Sequence, residues 1–202
     1  MENMIGVLLA GGRSQRFGQP KAFAQFEGKC FWEHSIDAMK EVTNKQIIIS
    51  HPDIVHFFEE TSRNEILMDD IHVRGKGPLA GIYTAMKYEK AEWYMILSCD
   101  IPLINKKIIR CLVDAREQGT LAIIPKINNR IHPLVGVYHY STFEYIDEAL
   151  QKERYKMMSL LEKINVKYLS DNFILANQDA FCNINSQEDY IALQNSDTIK
   201  EL

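Results

Sequence analysis

Short runs of apolar residues alternate along the chain with longer stretches in which apolar residues recur every three or four positions. The short runs predict strands over residues 5–10, 46–50, 66–68, 93–98, 121–125, 134–139 and 166–169. The longer stretches predict helices over residues 31–41, 54–61, 79–88, 106–118, 142–151, 156–163 and 187–194. This alternation predicts an α/β fold, a Rossmann-like three-layer sandwich whose mainly parallel sheet is covered on both faces. No linker or internal repeat interrupts it, so we expect residues 1–202 to form a single domain.

Two glycines and a basic loop follow the first predicted strand, at the edge of the sheet where ligands bind in such folds. Gly11 and Gly12 end the apolar run, and the cations Arg16 and Lys21 follow. Backbone N–H groups and cations arranged in this way surround an anion, and a nucleotide triphosphate fits best. We expect the glycines to adopt backbone angles that other residues avoid and to let the chain approach the ligand closely. The alternative is an ordinary strand-to-turn junction with solvated cations.

The same loop lacks the spacing of two common phosphate-binding motifs. No Gly-Lys-Ser/Thr sequence follows Gly12, as a P-loop requires. The Gly-x-Gly-x-x-Gly spacing of dinucleotide-binding folds is also missing. A different class of nucleotide-binding loop is therefore expected.

A carboxylate follows the strand predicted over residues 93–98. This residue is Asp100, and Pro102 stops the strand from continuing. Because the carboxyl ends of parallel strands share one edge, we expect Asp100 beside the loop of residues 11–21. A carboxylate next to a triphosphate suits Mg²⁺, which prefers oxygen ligands and bridges phosphates. The alternative is that Asp100 caps the next helix or simply ends the strand.

Composition and charge act mainly by excluding classes of function. A net charge of -4 over 202 residues provides no broad basic field for nucleic acid. No apolar stretch approaches the roughly 20 residues that span a membrane, and we expect no targeting segment before the first strand. Four cysteines without a C-x-x-C pair indicate free thiols in a reducing cytoplasm: Cys30, Cys99, Cys111 and Cys182.

Four motifs together resemble one family of nucleotidyltransferases. The pattern Leu-Ala-Gly-Gly-x-Ser-x-Arg-x-Gly-x-x-Lys, which ends at Lys21, resembles the sugar-phosphate and cofactor nucleotidyltransferases. Gly-Pro-Leu-Ala-Gly from Gly77, His-Pro at His132 and Asn-x-Asn from Asn183 are similar to motifs of the molybdenum cofactor guanylyltransferases. The resemblance extends over residues 5–189. It implies transfer of GMP from GTP to the terminal phosphate of molybdenum-bound molybdopterin, with release of pyrophosphate and with Mg²⁺ as cofactor.

The resemblance also implies roles for particular residues at the nucleotide. The GTP-binding positions are Leu9, Ala10, Gly11, Gly12, Lys21, Asp70 and Asp100. Arg16, Lys21 and Asp100 are the implied catalytic residues, because such a reaction needs positioning and charge rather than a protein nucleophile. Asp100 is the implied Mg²⁺ ligand. Asp70 is expected to contact the base or the ribose of the guanosine, although it is easily confused with Asp69 and a solvated loop is the alternative.

A second set of positions is implied on the side of the pterin substrate. These residues are His132, Pro133, Arg154, Lys156, Asn183 and Asn185. Each has an ordinary structural alternative: a strand start for His-Pro, a solvated helix start for the two cations, and loop or capping positions for the two asparagines. The family often has an asparagine after the second long strand, where this chain has Ser50 and His51, so neither is assigned to the site.

Two rival functions remain open at the level of sequence. One is a related CTP-dependent enzyme that acts on molybdopterin or on a sugar or polyol phosphate, although such relatives tend to have Ala-Ala-Gly in the first loop. The other is a non-catalytic carrier of nucleotide or pterin, against which the presence of both Lys21 and Asp100 argues. The expected partners are GTP and molybdopterin, with transient contact with cofactor-insertion proteins, no nucleic acid and no membrane, in a monomer or weak oligomer.

Overall fold

A computed structural model describes residues 3–12, 17, 20–170 and 172–198. The strands are β1 (Met4–Leu9), β2 (Gln25–Phe26), β3 (Lys29–Cys30), β4 (Lys45–Ser50), β5 (Glu65–Met68), β6 (Trp93–Ser98), β7 (Ala122–Ile127), β8 (Arg130–Ile131), β9 (Val135–His139) and β10 (Val166–Leu169). The α-helices are α1 (Phe31–Met39), α2 (Val55–Thr61), α3 (Pro78–Tyr88), α4 (Lys106–Asp114), α5 (Thr142–Gln151), α6 (Met157–Leu161), α7 (Asn172–Ala176) and α8 (Gln187–Thr198). Short 3₁₀ turns are formed by Lys21–Phe23 and Gln178–Phe181.

Every strand and helix predicted from the apolar pattern is present, and most differences are at their ends. Helix α4 ends at Asp114 rather than at residue 118. Its end is closed by Arg116, whose Nε donates to the carbonyl oxygen of Val113 at 2.7 Å. The short elements β2, β3, β8 and α7 were not predicted, because two to five residues are too few to show a period.

The main sheet has the order β10-β7-β9-β6-β1-β4-β5, and β8 pairs with β7. Strand β9 is antiparallel to both of its neighbours, and the remaining pairs along this order are parallel. The prediction of a mainly parallel sheet is therefore confirmed. Strand β1 lies between β4 and β6, so the chain leaves β1 on one side and returns on the other. Such a switch point leaves a crevice beyond the carboxyl ends of β1 and β6.

Alternate residues of the central strands enter two separate apolar layers. Trp93, Met95 and Leu97 pack on the side of α1 and α4. Tyr94 and Ile96 pack on the side of α3 and α5. Because both faces of β6 are buried, its sequence is a nearly continuous apolar run, as in other covered parallel sheets.

A third, smaller apolar cluster attaches α8 to the segment that follows β1. The ring of Phe17 lies 5.3 Å from that of Tyr190, measured between centroids. The hydroxyl of Tyr190 donates to the carbonyl oxygen of Gln25 at 2.8 Å. Helix α8 is therefore packed against apolar residues within 17–31, which follow β1 in the chain. Among the described residues, no helix is long and apolar enough to cross a membrane.

Candidate functional site

A cavity of about 1240 Å³ opens at the switch point between β1 and β6. Its walls come from the ends of β1, β4 and β6, the residues after β5, the start of α3, and the Asn-x-Asn segment. Of the sequence-predicted site residues, those that line it are Leu9, Ala10, Gly11, Gly12, Lys21, Asp100 and Asn185. Residues from the beginning, middle and end of the chain thus lie together at the carboxyl ends of the parallel strands.

Lys21 and Asp100 form the charged end of this cavity. The Nζ of Lys21 lies 3.7 Å from Oδ2 of Asp100, and the two side chains are 12% and 19% exposed. Lys21 is the first residue of a 3₁₀ turn, and its side chain reaches Asp100, which lies just after the end of β6. The same amine donates a hydrogen bond of 2.8 Å to Oδ1 of Asn185. A cation and a carboxylate are therefore held side by side on the cavity wall, an arrangement that suits a triphosphate with a divalent ion.

Both oxygens of the Asp100 carboxylate accept hydrogen bonds from neighbouring side chains. The hydroxyl of Ser98 donates to Oδ1. The amide nitrogen of Asn183 donates to Oδ2 at 2.9 Å. The backbone N–H of Cys99 also donates to the carbonyl oxygen of Leu9 at 3.2 Å, which ties the approach to Asp100 to the end of β1.

The backbone conformation requires glycine at only some of the glycine positions of the site. Contrary to expectation, Gly11 and Gly12 are not among the residues with positive φ. A Cβ at Gly12 would meet no atom of the described residues within 4 Å. The part of the prediction that concerns close approach to a ligand stays a prediction. Gly77, by contrast, precedes α3 with φ 74° and ψ -164°, a conformation essentially restricted to glycine.

Two adjacent aspartates after β5 have opposite environments. The structure does not bring the carboxylate of Asp70 to the cavity: Lys87 donates to it at 2.7 Å, and so does the backbone N–H of His72 at 3.0 Å. The hydrogen bond from Lys87 is the main reason why the pKa of Asp70 is lowered. Asp69 lines the cavity instead, and burial raises the pKa of its carboxyl group. The predicted contact between Asp70 and the nucleotide therefore lacks support from this geometry.

The residues predicted on the pterin side do not form one group. Asn185 lines the cavity, whereas the amide of Asn183 is directed to Asp100. His132 is half-buried against the ring of Phe181, with 5.2 Å between centroids, and burial lowers its pKa. The carbonyl oxygen of Pro133 accepts a hydrogen bond from the hydroxyl of Tyr138.

The two predicted cations of the pterin side lie away from the main cavity. Arg154 borders a second cavity of about 270 Å³ and donates to Glu148 at 3.2 Å. Lys156 is exposed and precedes α6. Arg16 lies outside the described residues. The pterin-side roles of these residues stay predictions from the resemblance.

Other polar side chains that line the cavity were not assigned from the sequence: Ser50, His51, Asp69, Arg74 and Ser98. Ser50 and His51 lie at the carboxyl end of β4. Because ligands of such sheets bind at the carboxyl ends of the strands, this position alone indicates them as site residues without any motif. Arg74 lies between β5 and α3 and has no comparable signal. The described residues contain no group of three or more His, Cys, Asp or Glu side chains that could hold a metal by themselves.

The comparisons with known proteins agree with this arrangement. A family model described as the MobA-like NTP transferase domain matches residues 6–168. A probable molybdenum cofactor guanylyltransferase of Bacillus cereus is 38% identical over 96% of this chain and 97% of its own length. One from a Geobacillus species is 39% identical over 94% of this chain and 97% of its own.

A solved structure shows the same fold at lower identity. Molybdopterin-guanine dinucleotide biosynthesis protein A from Archaeoglobus fulgidus has a TM-score of 0.81 with 21% identity, over 96% of this chain and 99% of that one. Nucleotidyltransferases of this kind typically use a divalent metal. With the family model covering most of the chain and curated relatives matching nearly all of it, the chain belongs to the molybdenum cofactor guanylyltransferases of the MobA-like nucleotidyltransferase family.

Proposed function

We propose that the protein transfers GMP from GTP to molybdopterin, giving the molybdopterin guanine dinucleotide cofactor and pyrophosphate. The observation that carries this proposal is the Lys21–Asp100 pair, with 3.7 Å between Nζ and Oδ2, at the switch-point cavity of a chain in this family. In the reaction, an oxygen of the terminal phosphate of molybdopterin forms a bond to the α-phosphorus of GTP. The bond from that phosphorus to the bridging oxygen of the β-phosphate breaks, and pyrophosphate leaves.

The phosphate end of the site works by positioning and by charge. We assign the triphosphate to the end of the cavity formed by Gly11, Gly12 and Lys21. The ammonium group of Lys21 would exchange its hydrogen bond with Asn185 for contacts to phosphate oxygens, neutralising charge that grows on the leaving pyrophosphate. Arg16 is assigned the same task from the resemblance. The bound nucleotide and pterin are held in line, which lowers the barrier without a covalent intermediate.

The residues of this end also fit a Mg²⁺ ion. Mg²⁺ is usually held by one or two carboxylates together with substrate phosphates and water, so a cage of several protein ligands is not needed. Asp100 supplies such a carboxylate inside the cavity. When bound, the metal would neutralise phosphate charge, and Asp100 is the residue to which we assign it.

The cavity favours Asp69 over Asp70 as the acidic residue that faces the guanosine. Asp69 lines the cavity wall, where its carboxylate can accept hydrogen bonds from a bound base, and burial raises the pKa of its carboxyl group. Guanine presents two donors, N1–H and its exocyclic amine, to one carboxylate. Asp70 is occupied with Lys87 and holds the loop that follows β5.

A covalent route through the one cysteine of the cavity wall is disfavoured. Cys99 is buried beside Asp100, and burial raises the pKa of its thiol to about 12. A thiol with such a pKa remains protonated at neutral pH and is a poor nucleophile. Direct attack by the pterin phosphate therefore agrees better with the site.

We further propose that residues 1–202 act as one nucleotidyltransferase domain in the cytoplasm, with GTP and molybdopterin as substrates. The continuity of the main sheet, which joins β1 to β10, supports a single unit. The four cysteines are free, as a reducing compartment requires.

Pyrophosphate release in the presence of molybdopterin tests the proposal, with GTP, CTP, ATP and UTP supplied in turn. We expect release with GTP to exceed that with the other nucleotides at least tenfold. A preference for CTP would instead indicate a cytidylyltransferase. Nucleotide binding without pyrophosphate release would indicate a carrier and would overturn the enzymatic assignment.

A further inference from the structure

The segment from Asn183 to Asn185 contacts both charged residues of the phosphate end. Asn183 donates to Oδ2 of Asp100 at 2.9 Å, and the backbone N–H of Ile184 donates to the carbonyl oxygen of Asp100 at 2.8 Å. Asn185 accepts the hydrogen bond from Lys21 at 2.8 Å. Asn183 thus contacts the side chain of Asp100, and the next residue, Ile184, contacts its backbone.

This segment is itself fixed by contacts on its other side. The carboxylate of Asp189 accepts hydrogen bonds from the backbone N–H groups of Asn185 and Ser186, each at 2.8 Å. These two hydrogen bonds are the main reason why the pKa of Asp189 is lowered. Ile184 is buried, and Tyr190 is packed against Phe17. These contacts fix the backbone around Asn183, so its amide is held in place beside Asp100.

The hydrogen bonds to Asp100 set the rotation of its carboxylate plane. Torsions that end in a planar carboxylate are broad, so the plane of a free Asp side chain is poorly defined. Ser98 holds one oxygen and Asn183 the other, which leaves the remaining lone pairs of each oxygen in fixed directions. Outer partners that orient a ligating carboxylate commonly change metal affinity by 10- to 100-fold when they are removed.

We propose that Asn183 is a positioning residue that orients Asp100 for the metal–nucleotide complex, rather than a contact to the pterin. The inference rests on the proposed function, in which Asp100 holds the metal. It is favoured because the amide nitrogen of Asn183 is directed to Asp100 and the residue does not line the main cavity, whereas Asn185 does.

The test measures how strongly a metal and GTP favour each other's binding. GTP affinity is determined calorimetrically without pterin, once with EDTA and once with saturating Mn²⁺, and the ratio is the coupling factor. We expect Asn183→Ala to reduce this factor about 10-fold while GTP affinity in EDTA is unchanged. Asn183→Leu keeps nearly the same volume and also removes the donor. It should reduce the coupling factor to the same extent, and it replaces Asn183→Ala in the test if the alanine variant folds poorly.

Asn177→Ala is the matched control. Asn177 is also half-buried in the C-terminal part of the chain, and its amide donates to the carbonyl oxygen of Phe173 at 2.8 Å, away from the cavity. Its coupling factor should equal that of the unaltered protein. Asp100→Asn is the positive reference and should lower the factor at least as much as Asn183→Ala.

The possible results separate the two proposals. If Asn183→Ala leaves the coupling factor unchanged while Asp100→Asn lowers it, the positioning role is overturned and the metal assignment stands. An equal loss of GTP affinity with and without Mn²⁺ also overturns the positioning role, because it reports general damage to the site. If Asp100→Asn itself has no effect, the assignment of the metal to Asp100 fails, and the positioning role fails with it.

Discussion

Replacing Asp69 by Asn should change nucleotide preference and stability in a linked way. The substitution keeps the size of the side chain and removes its charge. Guanine then loses an acceptor that pairs with both of its donors, whereas adenine never had a matching pair to lose. A buried polar group left unmatched costs about 1–3 kcal/mol, so the GTP-to-ATP affinity ratio should fall by roughly tenfold.

The same substitution should stabilise the unliganded protein at neutral pH. Burial raises the pKa of Asp69 in the folded state, so the folded protein binds more protons than the unfolded chain between the unfolded and folded pKa values. Stability therefore falls as pH rises through that window, and Asn avoids the loss. Within the part of the chain that the structure describes, this carboxylate accepts one hydrogen bond, from the N–H of Gly75 at 3.4 Å, and its pKa stays raised, so the desolvation is only partly offset. Halving the usual range for a half-buried group gives a gain of about 0.5–1.5 kcal/mol at pH 7.

Urea unfolding at pH 7 and pH 3, together with competition binding of GTP and ATP, measures both effects. The stability gain should be present at pH 7 and absent at pH 3, where Asp69 is protonated in both states. Asp70→Asn should do the reverse and lower stability slightly at pH 7, because it removes a solvent-screened ion pair in which Lys87 is 48% exposed. The reasoning would be refuted if Asp70→Asn, and not Asp69→Asn, narrowed the nucleotide preference.

Three further substitutions test other parts of the structure. Lys21→Ala should lower turnover about 100-fold at saturating GTP, since one charge contact of the transition state contributes roughly 3 kcal/mol, and near-normal turnover would contradict its role. Asp100→Asn should fold normally but lose its Mg²⁺-dependent activity, and unchanged activity with an unchanged Mg²⁺ midpoint would show that the residue is not a metal ligand. Gly136→Ala should lower the free energy of unfolding by about 1–3 kcal/mol, because its Cβ would press on the side chain of Ile124 and come within 3.0 Å of the carbonyl oxygen of Ile123; urea unfolding identical to that of the unaltered protein would contradict this.

The elements that the sequence predicted well are those whose pattern is local. Residues 93–98 and 166–169 form strands with the predicted bounds, and residues 142–151 form the predicted helix. The direction of β9 was not predictable, because it depends on the strands beside it rather than on its own residues. That antiparallel direction places its first residues, next to His132 and Pro133, at the ligand edge.

The candidate site shows the same division between local and distant information. The cavity residues of the first loop and Asp100 were predicted, because strand ends and a dense motif point to them. The choice between Asp69 and Asp70 was not, since both follow β5 and their environments are decided by Lys87 and the cavity wall. For Asn183 and Asn185, the resemblance implied a place on the pterin side but no particular contacts. Their hydrogen-bond partners lie 83 and 164 residues away and could not be read from spacing.

The docking of the last part of the chain has a consequence for how the site is assembled. The family match ends at residue 168, yet Asn183 and Asn185 complete the surroundings of Asp100 and Lys21. Residues 183–185 follow β10 in the chain and belong to no strand of the main sheet. Local opening of the C-terminal segment would remove its contacts with Asp100 and Lys21 and so inactivate the site. The sheet would stay intact, because parts of a protein open at different free energies. Amide exchange in this segment would then report the fraction of molecules able to act, independently of global unfolding.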